Sequence, residues 1–160
     1  MTDVPETPAT RWLTEHEVAH EIVETRPAGS PEESAELQGI ELRQLLRTIV
    51  VRRAENDYLF VLVPGGRRFD WPKLRAHVGV KRMSLPDADE AKAVTGYERG
   101  TITPFGSTNA WPVIADASIE TLDKVAIGGG RRGVNIHIKP ADLVAATRAD
   151  VVDVTTSEPD

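Results

Sequence analysis

The stretch Arg47-Thr48-Ile49-Val50-Val51-Arg52-Arg53-Ala54-Glu55-Asn56-Asp57-Tyr58-Leu59-Phe60-Val61-Leu62-Val63 decides the fold class of this chain. Thr48 to Val51 is β-branched throughout, which suits the pleated surface of a sheet and predicts a buried strand. Ala54 to Asp57 turns the chain, and Tyr58 to Val63 is a second apolar run. Two such runs across a short turn read as a hairpin.

Downstream of the hairpin, Pro64, Gly65 and Gly66 break the strand. Asp70 then caps a helix with Pro72 in its first turn and Gly79 just past its end. A strand over Lys81–Leu85 is expected next, and Pro86 with Asp87 opens another helix that stops at Gly96. Tyr97 to Ala110 has no apolar period and many turn formers, so it predicts a long structured loop. Trp111–Ala115 and Lys124–Ile127 read as strands. Val134, Ile136 and Ile138 alternate with Asn135, His137 and Lys139, the pattern of a half-buried strand. A helix over Pro140–Thr147 and a strand over Val151–Val154 complete that half.

Upstream, a short helix over Ala9–Glu15 leads into a strand over Val18–Glu24, although the spacing of Val18 with Ile22 also suits a helix. Ser30, Pro31, Glu32 and Glu33 start a helix: the serine oxygen caps a free N–H, proline suits the first turn, and acids favour the positive end of the helix dipole. Gly39 ends it, and Ile40–Leu46 is a short apolar turn. Strands and helices mix without strict βαβ alternation. The expected fold is therefore α/β of the α+β kind: a single domain over 9–154 with a mixed, largely antiparallel sheet and packed helices. Residues 1–8 and 155–160 are polar and lack apolar periodicity, so they are expected to be disordered tails.

Composition narrows the function. Of 160 residues, 40% are hydrophobic and 28% charged, as in an ordinary globular protein. There is no cysteine, which excludes disulfides, thiolate metal sites and a cysteine nucleophile and fits a reducing compartment. Met1 to Thr10 lacks the basic and apolar regions of a secretory signal, and no apolar run approaches a membrane span, so the expected location is the cytoplasm with no membrane partner. A net charge of −6 argues against a general nucleic-acid coat protein. The charge is uneven, however: Arg67, Arg68, Lys73, Arg75, Lys81 and Arg82 face only Asp70 across that stretch. This is either a basic face for RNA or a solvated helix face.

Three motifs invite a chemical reading. His16-Glu17-Val18-Ala19-His20 matches the HExxH of zinc peptidases, which requires a helix to bring both histidines to one side. Gly128-Gly129-Gly130-Arg131-Arg132-Gly133 satisfies GxGxxG, but the alternating strand that follows does not open the helix a dinucleotide site needs. What survives is a tight turn with exposed amides between two strands, flanked by two surface arginines. The loop Gly96-Tyr97-Glu98-Arg99-Gly100-Thr101-Ile102-Thr103-Pro104-Phe105-Gly106 combines glycines, threonines and aromatics in the manner of a rigid, purpose-shaped loop. No GxSxG or SxxK nucleophile pattern occurs.

Taken in order, Arg47-Thr48-Ile49-Val50-Val51, Tyr58–Val63 with Arg67-Arg68, Thr95-Gly96-Tyr97, Gly100-Thr-Ile-Thr-Pro104-Phe105-Gly106 and Gly128-Gly-Gly-Arg-Arg-Gly133 resemble the YbaK and prolyl-tRNA synthetase-associated editing domain family. The resemblance runs from about Ala9 to Leu143. It implies a compact α/β fold and hydrolysis of the ester that joins a wrongly attached amino acid to the terminal adenosine of tRNA, most often alanyl or cysteinyl tRNA for proline. The partners it implies are the aminoacyl-tRNA 3′ end and a cognate aminoacyl-tRNA synthetase, with no cofactor and no metal.

By the same matching, the loop Gly100 to Pro104, with Thr101 and Thr103, borders the aminoacyl pocket. The turn Gly128 to Gly133, with Gly130, borders the adenosine, and Thr48 and Asn135 fall at pocket positions. Arg47 stands where the family usually has lysine and Asn135 where an acid is common. Arginine keeps its charge but cannot serve as a base near neutral pH. Arg47, Gly100 and Gly128 are the expected catalytic positions, the glycines through backbone amides aimed at a developing oxyanion. Two alternatives stay open: a module of the same fold that binds tRNA or an aminoacyl-nucleotide without hydrolysis, and the zinc peptidase.

Overall fold

The computed structural model describes residues 6–158. In chain order its first half contains α1 (Pro8–Glu15), β1 (Glu21–Glu24), α2 (Pro31–Gln38), a 3-10 turn (Leu42–Gln44), β2 (Leu46–Ala54), β3 (Asp57–Pro64), β4 (Arg67–Phe69) and α3 (Trp71–Val78). The second half contains α4 (Ala88–Thr95), β5 (Val113–Asp116), a 3-10 turn (Ala117–Thr121), β6 (Val125–Gly128), β7 (Val134–Ile138), α5 (Pro140–Thr147), β8 (Asp150–Val152) and β9 (Thr155–Ser157). The helix boundaries follow from local chemistry. The side chains of Ser30, Asp70 and Asp87 cap α2, α3 and α4, and Gly39, Gly79 and Gly96 end them in left-handed conformations.

The β2–β3 hairpin is the framework. A four-stranded sheet has the order β2-β3-β5-β8, a three-stranded sheet the order β1-β7-β6, and β4 pairs with β9. The β2–β3, β1–β7, β6–β7 and β4–β9 pairings are antiparallel, and β3–β5 and β5–β8 are parallel. A parallel bridge, Leu45 with Ala126, joins the two larger sheets.

Strand β3 is buried from Tyr58 to Pro64 because each of its faces meets a separate core. Tyr58, Phe60 and Leu62 pack with Leu13, Phe105, Ile127, Ile136 and Leu143. Leu59, Val61 and Val63 pack with Val51, Leu74, Ile114 and Val154. Full burial of one such aliphatic or aromatic side chain stabilises the fold by roughly 1.5–3 kcal/mol. On the second side lies Asp116. Burial alone would raise its pKa, but hydrogen bonds from Ser118 and from the Val154 N–H (3.1 Å) hold it below the usual carboxylate value.

Four expectations change. Lys81–Leu85 is not a strand: only Ser84 pairs, as an isolated bridge to Arg52, and most of the segment is exposed without apolar alternation. Thr155–Ser157 is not a disordered tail but β9, because Thr155 is fully buried and pairs opposite Phe69. At the other end Thr7 and Pro8 are ordered: Thr7 forms a capping box with Thr10 and donates to the Gly129 carbonyl at 2.6 Å. The remainder of the expected tails, residues 1–5 and 159–160, lies outside the described residues. The strand expected from Val18 is confined to β1, since Glu17 takes a left-handed turn after α1. Among the described residues no helix is long and apolar enough to cross a membrane.

Candidate active site

Strand β2 is an edge of its sheet. Arg52 exchanges both main-chain hydrogen bonds with Ser84 on that outer edge, at 2.8 and 3.0 Å. Strand periodicity then turns the amides and carbonyls of Thr48 and Val50 to the same side. Beyond the Leu45–Ala126 bridge this edge faces a cleft of about 550 Å³, lined by residues 45–50, Gly100, Ile102, Gly128, Gly133, Asn135 and the segments 25–28 and 85–88. That size falls in the range of small-molecule sites.

The two glycine-bearing segments meet at the cleft. A methyl group on Gly128 would lie 3.5 Å from the Ile102 carbonyl and 3.7 Å from that of Thr101, and one on Gly100 would lie 3.7 Å from the Arg132 guanidinium. The loop is held rigidly. Tyr97 donates its hydroxyl to the Phe105 carbonyl at 2.5 Å, and Trp111 and Asn109 both donate to the Val94 carbonyl, at 2.8 and 3.0 Å. Burial pushes the Tyr97 phenol up to about 12, so it remains a donor at neutral pH. The turn is held by Gly129, whose N–H donates to Val134 at 2.8 Å, and by Thr25, whose N–H donates to Gly133 at 2.8 Å.

The expected site residues divide. Arg47, Thr48, Gly100, Gly128 and Asn135 all border the cleft. Thr48 lies on the face of Leu46 and Val50, and its Oγ1 is buried without a hydrogen-bond partner among the described residues. Such a hydroxyl costs about 1–3 kcal/mol unless a ligand satisfies it. Asn135 donates to the Val23 carbonyl at 3.0 Å, fixing the side-chain amide across β1. Arg47, one residue from Thr48, alternates to the face of Ile49 and Val51, and its guanidinium donates to the Arg67 carbonyl at 3.0 Å. The charge therefore points away from the Thr48 side.

Four residues do not line the cleft. Thr101 is buried and donates to the Glu98 carbonyl at 2.7 Å, closing a local turn. Thr103 is fully buried behind the wall. Pro104 also stands off it, and Gly130 packs against the Tyr97 ring and Thr7. Sequence reasoning in turn missed Arg99 and Arg132, exposed cations on the rim without an acidic partner within 4.0 Å among the described residues. The signal was the arginine pair in the glycine turn, which read as surface charge.

The HExxH reading fails on geometry. Helix α1 ends at Glu15, so the motif starts at the helix cap instead of inside the helix. His16 stacks on Trp12 at 4.0 Å and His20 bonds the Val18 carbonyl at 2.7 Å. Among the described residues no group of three His, Cys, Asp or Glu side chains could hold a metal ion.

Comparison with known proteins bears directly on this cleft. The family model described as the aminoacyl-tRNA editing domain matches residues 25–146. The chain belongs to the aminoacyl-tRNA editing domain family. A relative of this editing family, EbsC of Enterococcus faecalis, a proposed Cys-tRNA(Pro)/Cys-tRNA(Cys) deacylase, is 26% identical over 95% of this chain and 94% of its own. The proline–tRNA ligase of Thermosipho melanesiensis is 26% identical over 91% of this chain, which spans only 26% of the ligase. A crystal structure of a proposed trans-editing enzyme for prolyl tRNA synthetase superposes with a TM-score of 0.81 and 25% identity, covering 97% of this chain and all of that one.

Proposed function

We propose that this editing-family chain is an aminoacyl-tRNA deacylase acting in trans on mischarged tRNA of the Cys-tRNA(Pro) or Ala-tRNA(Pro) kind. The observation that carries the reading is the meeting of Gly100, Gly128 and the unpartnered Thr48 hydroxyl around one cleft. The match to EbsC over almost its full length supports the reaction class. The match to part of a proline–tRNA ligase supports a prolyl-tRNA synthetase as the kind of synthetase partner and the cytoplasm as the location.

The aminoacyl 3′ end enters the cleft, and water, oriented by the neighbouring ribose hydroxyl, attacks the acyl carbon and gives up a proton. The bond from acyl carbon to ribose oxygen breaks, the ribose oxygen takes a proton, and the free amino acid leaves. An aminoacyl ester is activated, so aimed donors and a positioned attacker suffice without a protein nucleophile or cofactor. The amides of Gly100 and Gly128 and the outward edge of β2 at Thr48 supply those donors. Arg99 and Arg132 hold terminal phosphate oxygens, and Asn135 shapes the amino-acid end. Arg47 positions β2 against Arg67, while Thr101, Thr103, Pro104 and Gly130 support the wall from behind.

A panel of mischarged tRNAs tests this, with amino-acid release above the spontaneous rate for at least one as the expected result. A second reading, a module that binds the same end without hydrolysing it, is favoured by the direction of the Arg47 guanidinium. Arg47→Lys separates the two: a large gain in hydrolysis supports the binding module, and a loss or no change supports the deacylase.

A further inference from the structure

A second concavity lies on the same edge of β2. This groove, of about 480 Å³, is walled by Arg52, Arg53, Arg75, Lys81 and Arg82 together with Ala54, Met83 and Ser84. It therefore contains five cations and no acid, in a chain whose net charge is −6. Arg53 is held by Asp57 at 2.7 Å, and Arg52 lies 3.7 Å from Glu90. Arg75, Lys81 and Arg82 have no acidic partner within 4.0 Å among the described residues. Lys81 and Arg82 are exposed. Concentrating like charges without counter-ions is unfavourable for the isolated protein and favourable toward a polyanion.

The groove adjoins the cleft, the two being lined by successive residues of the same two segments. Along β2, residues 45–50 line the cleft and residues 52–54 line the groove. Along the neighbouring segment, residues 81–84 line the groove and residues 85–88 the cleft. The Arg52–Ser84 bridge divides them. At that divide stands Leu85, 52% exposed and the sole large hydrophobic residue so exposed among those described, an apolar surface for a base. From Thr48 to Arg52 the strand advances roughly 13 Å, so a nucleic acid whose last residue is in the cleft reaches the groove.

We propose that this groove docks the sugar-phosphate backbone of the tRNA acceptor arm, a role that rests on the deacylase reading for the identity of the RNA. Arg75, Lys81 and Arg82 neutralise phosphates, and Leu85 separates the docked arm from the reacting end.

The test is binding of uncharged tRNA to the full chain by fluorescence anisotropy across a salt series. It compares wild type, the triple variant Arg75→Ser/Lys81→Ser/Arg82→Ser, and a control Arg11→Ser/Arg43→Ser/Lys92→Ser with the same loss of charge elsewhere. The groove variant should bind at least about tenfold more weakly, with a salt slope smaller by about 3, one for each lost phosphate contact. The control should change far less. Should the triple variant melt early, Lys81→Ser/Arg82→Ser leaves α3 intact and should lower the slope by about 2. Groove variants that keep wild-type affinity and slope, or a control that loses as much as they do, overturn the proposal. Because the readout needs no hydrolysis, it stands apart from the deacylation panel: either can fail while the other succeeds.

Discussion

The cleft and the groove share one strand edge yet are built from opposite materials. Where Gly100, Gly128 and Thr48 meet, the cleft presents main chain and one buried hydroxyl, fixed by hydrogen bonds from Tyr97, Trp111 and Thr25, with Arg99 and Arg132 confined to its rim. The groove is made of long cationic side chains on the end of β2, an irregular segment and helix α3. Main-chain donors are rigid and cannot be screened or rotated away, which suits a step whose geometry must hold within fractions of an ångström. Side-chain cations tolerate imprecise partners and answer to salt, which suits docking a flexible polyanion.

The contrast predicts where substitutions hurt. The largest effect is expected at Gly133, which has φ +81° and whose added methyl would lie 2.4 Å from the Thr25 carbonyl. Gly133→Ala should destabilise the fold by at least about 2 kcal/mol, lowering the melting midpoint by about 4–8 °C. A wild-type melting curve for that variant would break the claim that main chain sets the cleft. Thr48→Val should do the reverse: its stability stays level or rises by up to about 1 kcal/mol, while kcat/KM for a mischarged tRNA falls about a hundredfold. Steady-state rates and a urea titration on one preparation read both.

A smaller effect is expected with pH. His137 on β7 is buried, with Nε2 2.9 Å from Gln38 Oε1 and Nδ1 without a partner among the described residues. Burial, with Lys124 nearby, lowers its pKa below the usual 6.5. The unfolded chain thus binds this proton more readily, and unfolding free energy should decline as pH falls below 6.5. Asp116, beside the second core, has a lowered carboxyl pKa and gives up its contribution only as pH falls below 3.8. Urea titrations of wild type and His137→Gln at about pH 7.5 and about pH 5.5 should show the first decline in wild type alone.

Much of the fold was legible because its signals are local. The β-branched run after Arg47, the Ser30, Asp70 and Asp87 caps and the alternation from Val134 to Ile138 each fix an element from its own residues. Strand β9 was illegible because a Thr-Thr-Ser run carries no apolar period, and it forms only where Arg67–Phe69 supplies a ladder and Arg67 Nε donates to Thr155 Oγ1 at 2.6 Å. At the site, the order of motifs brought Thr48, Gly100, Gly128 and Asn135 together. The direction of Arg132 depends on left-handed glycines at 130 and 133, which sequence spacing does not reveal. The directions of Thr101 and Thr103 lie in a loop without period. Arg47 was readable after all: strand alternation alone sets it opposite to Thr48.

Gly128→Ala asks whether the reaction takes place where loop and turn meet. Gly128 has no left-handed φ, and the added methyl would sit in ordinary contact 3.5 Å from the Ile102 carbonyl, on the wall where loop and turn meet. The variant is expected to melt as wild type and still bind tRNA through the groove, yet to release the amino acid about a hundredfold more slowly. Wild-type release by that well-folded variant would contradict the placement of the reaction in this cleft.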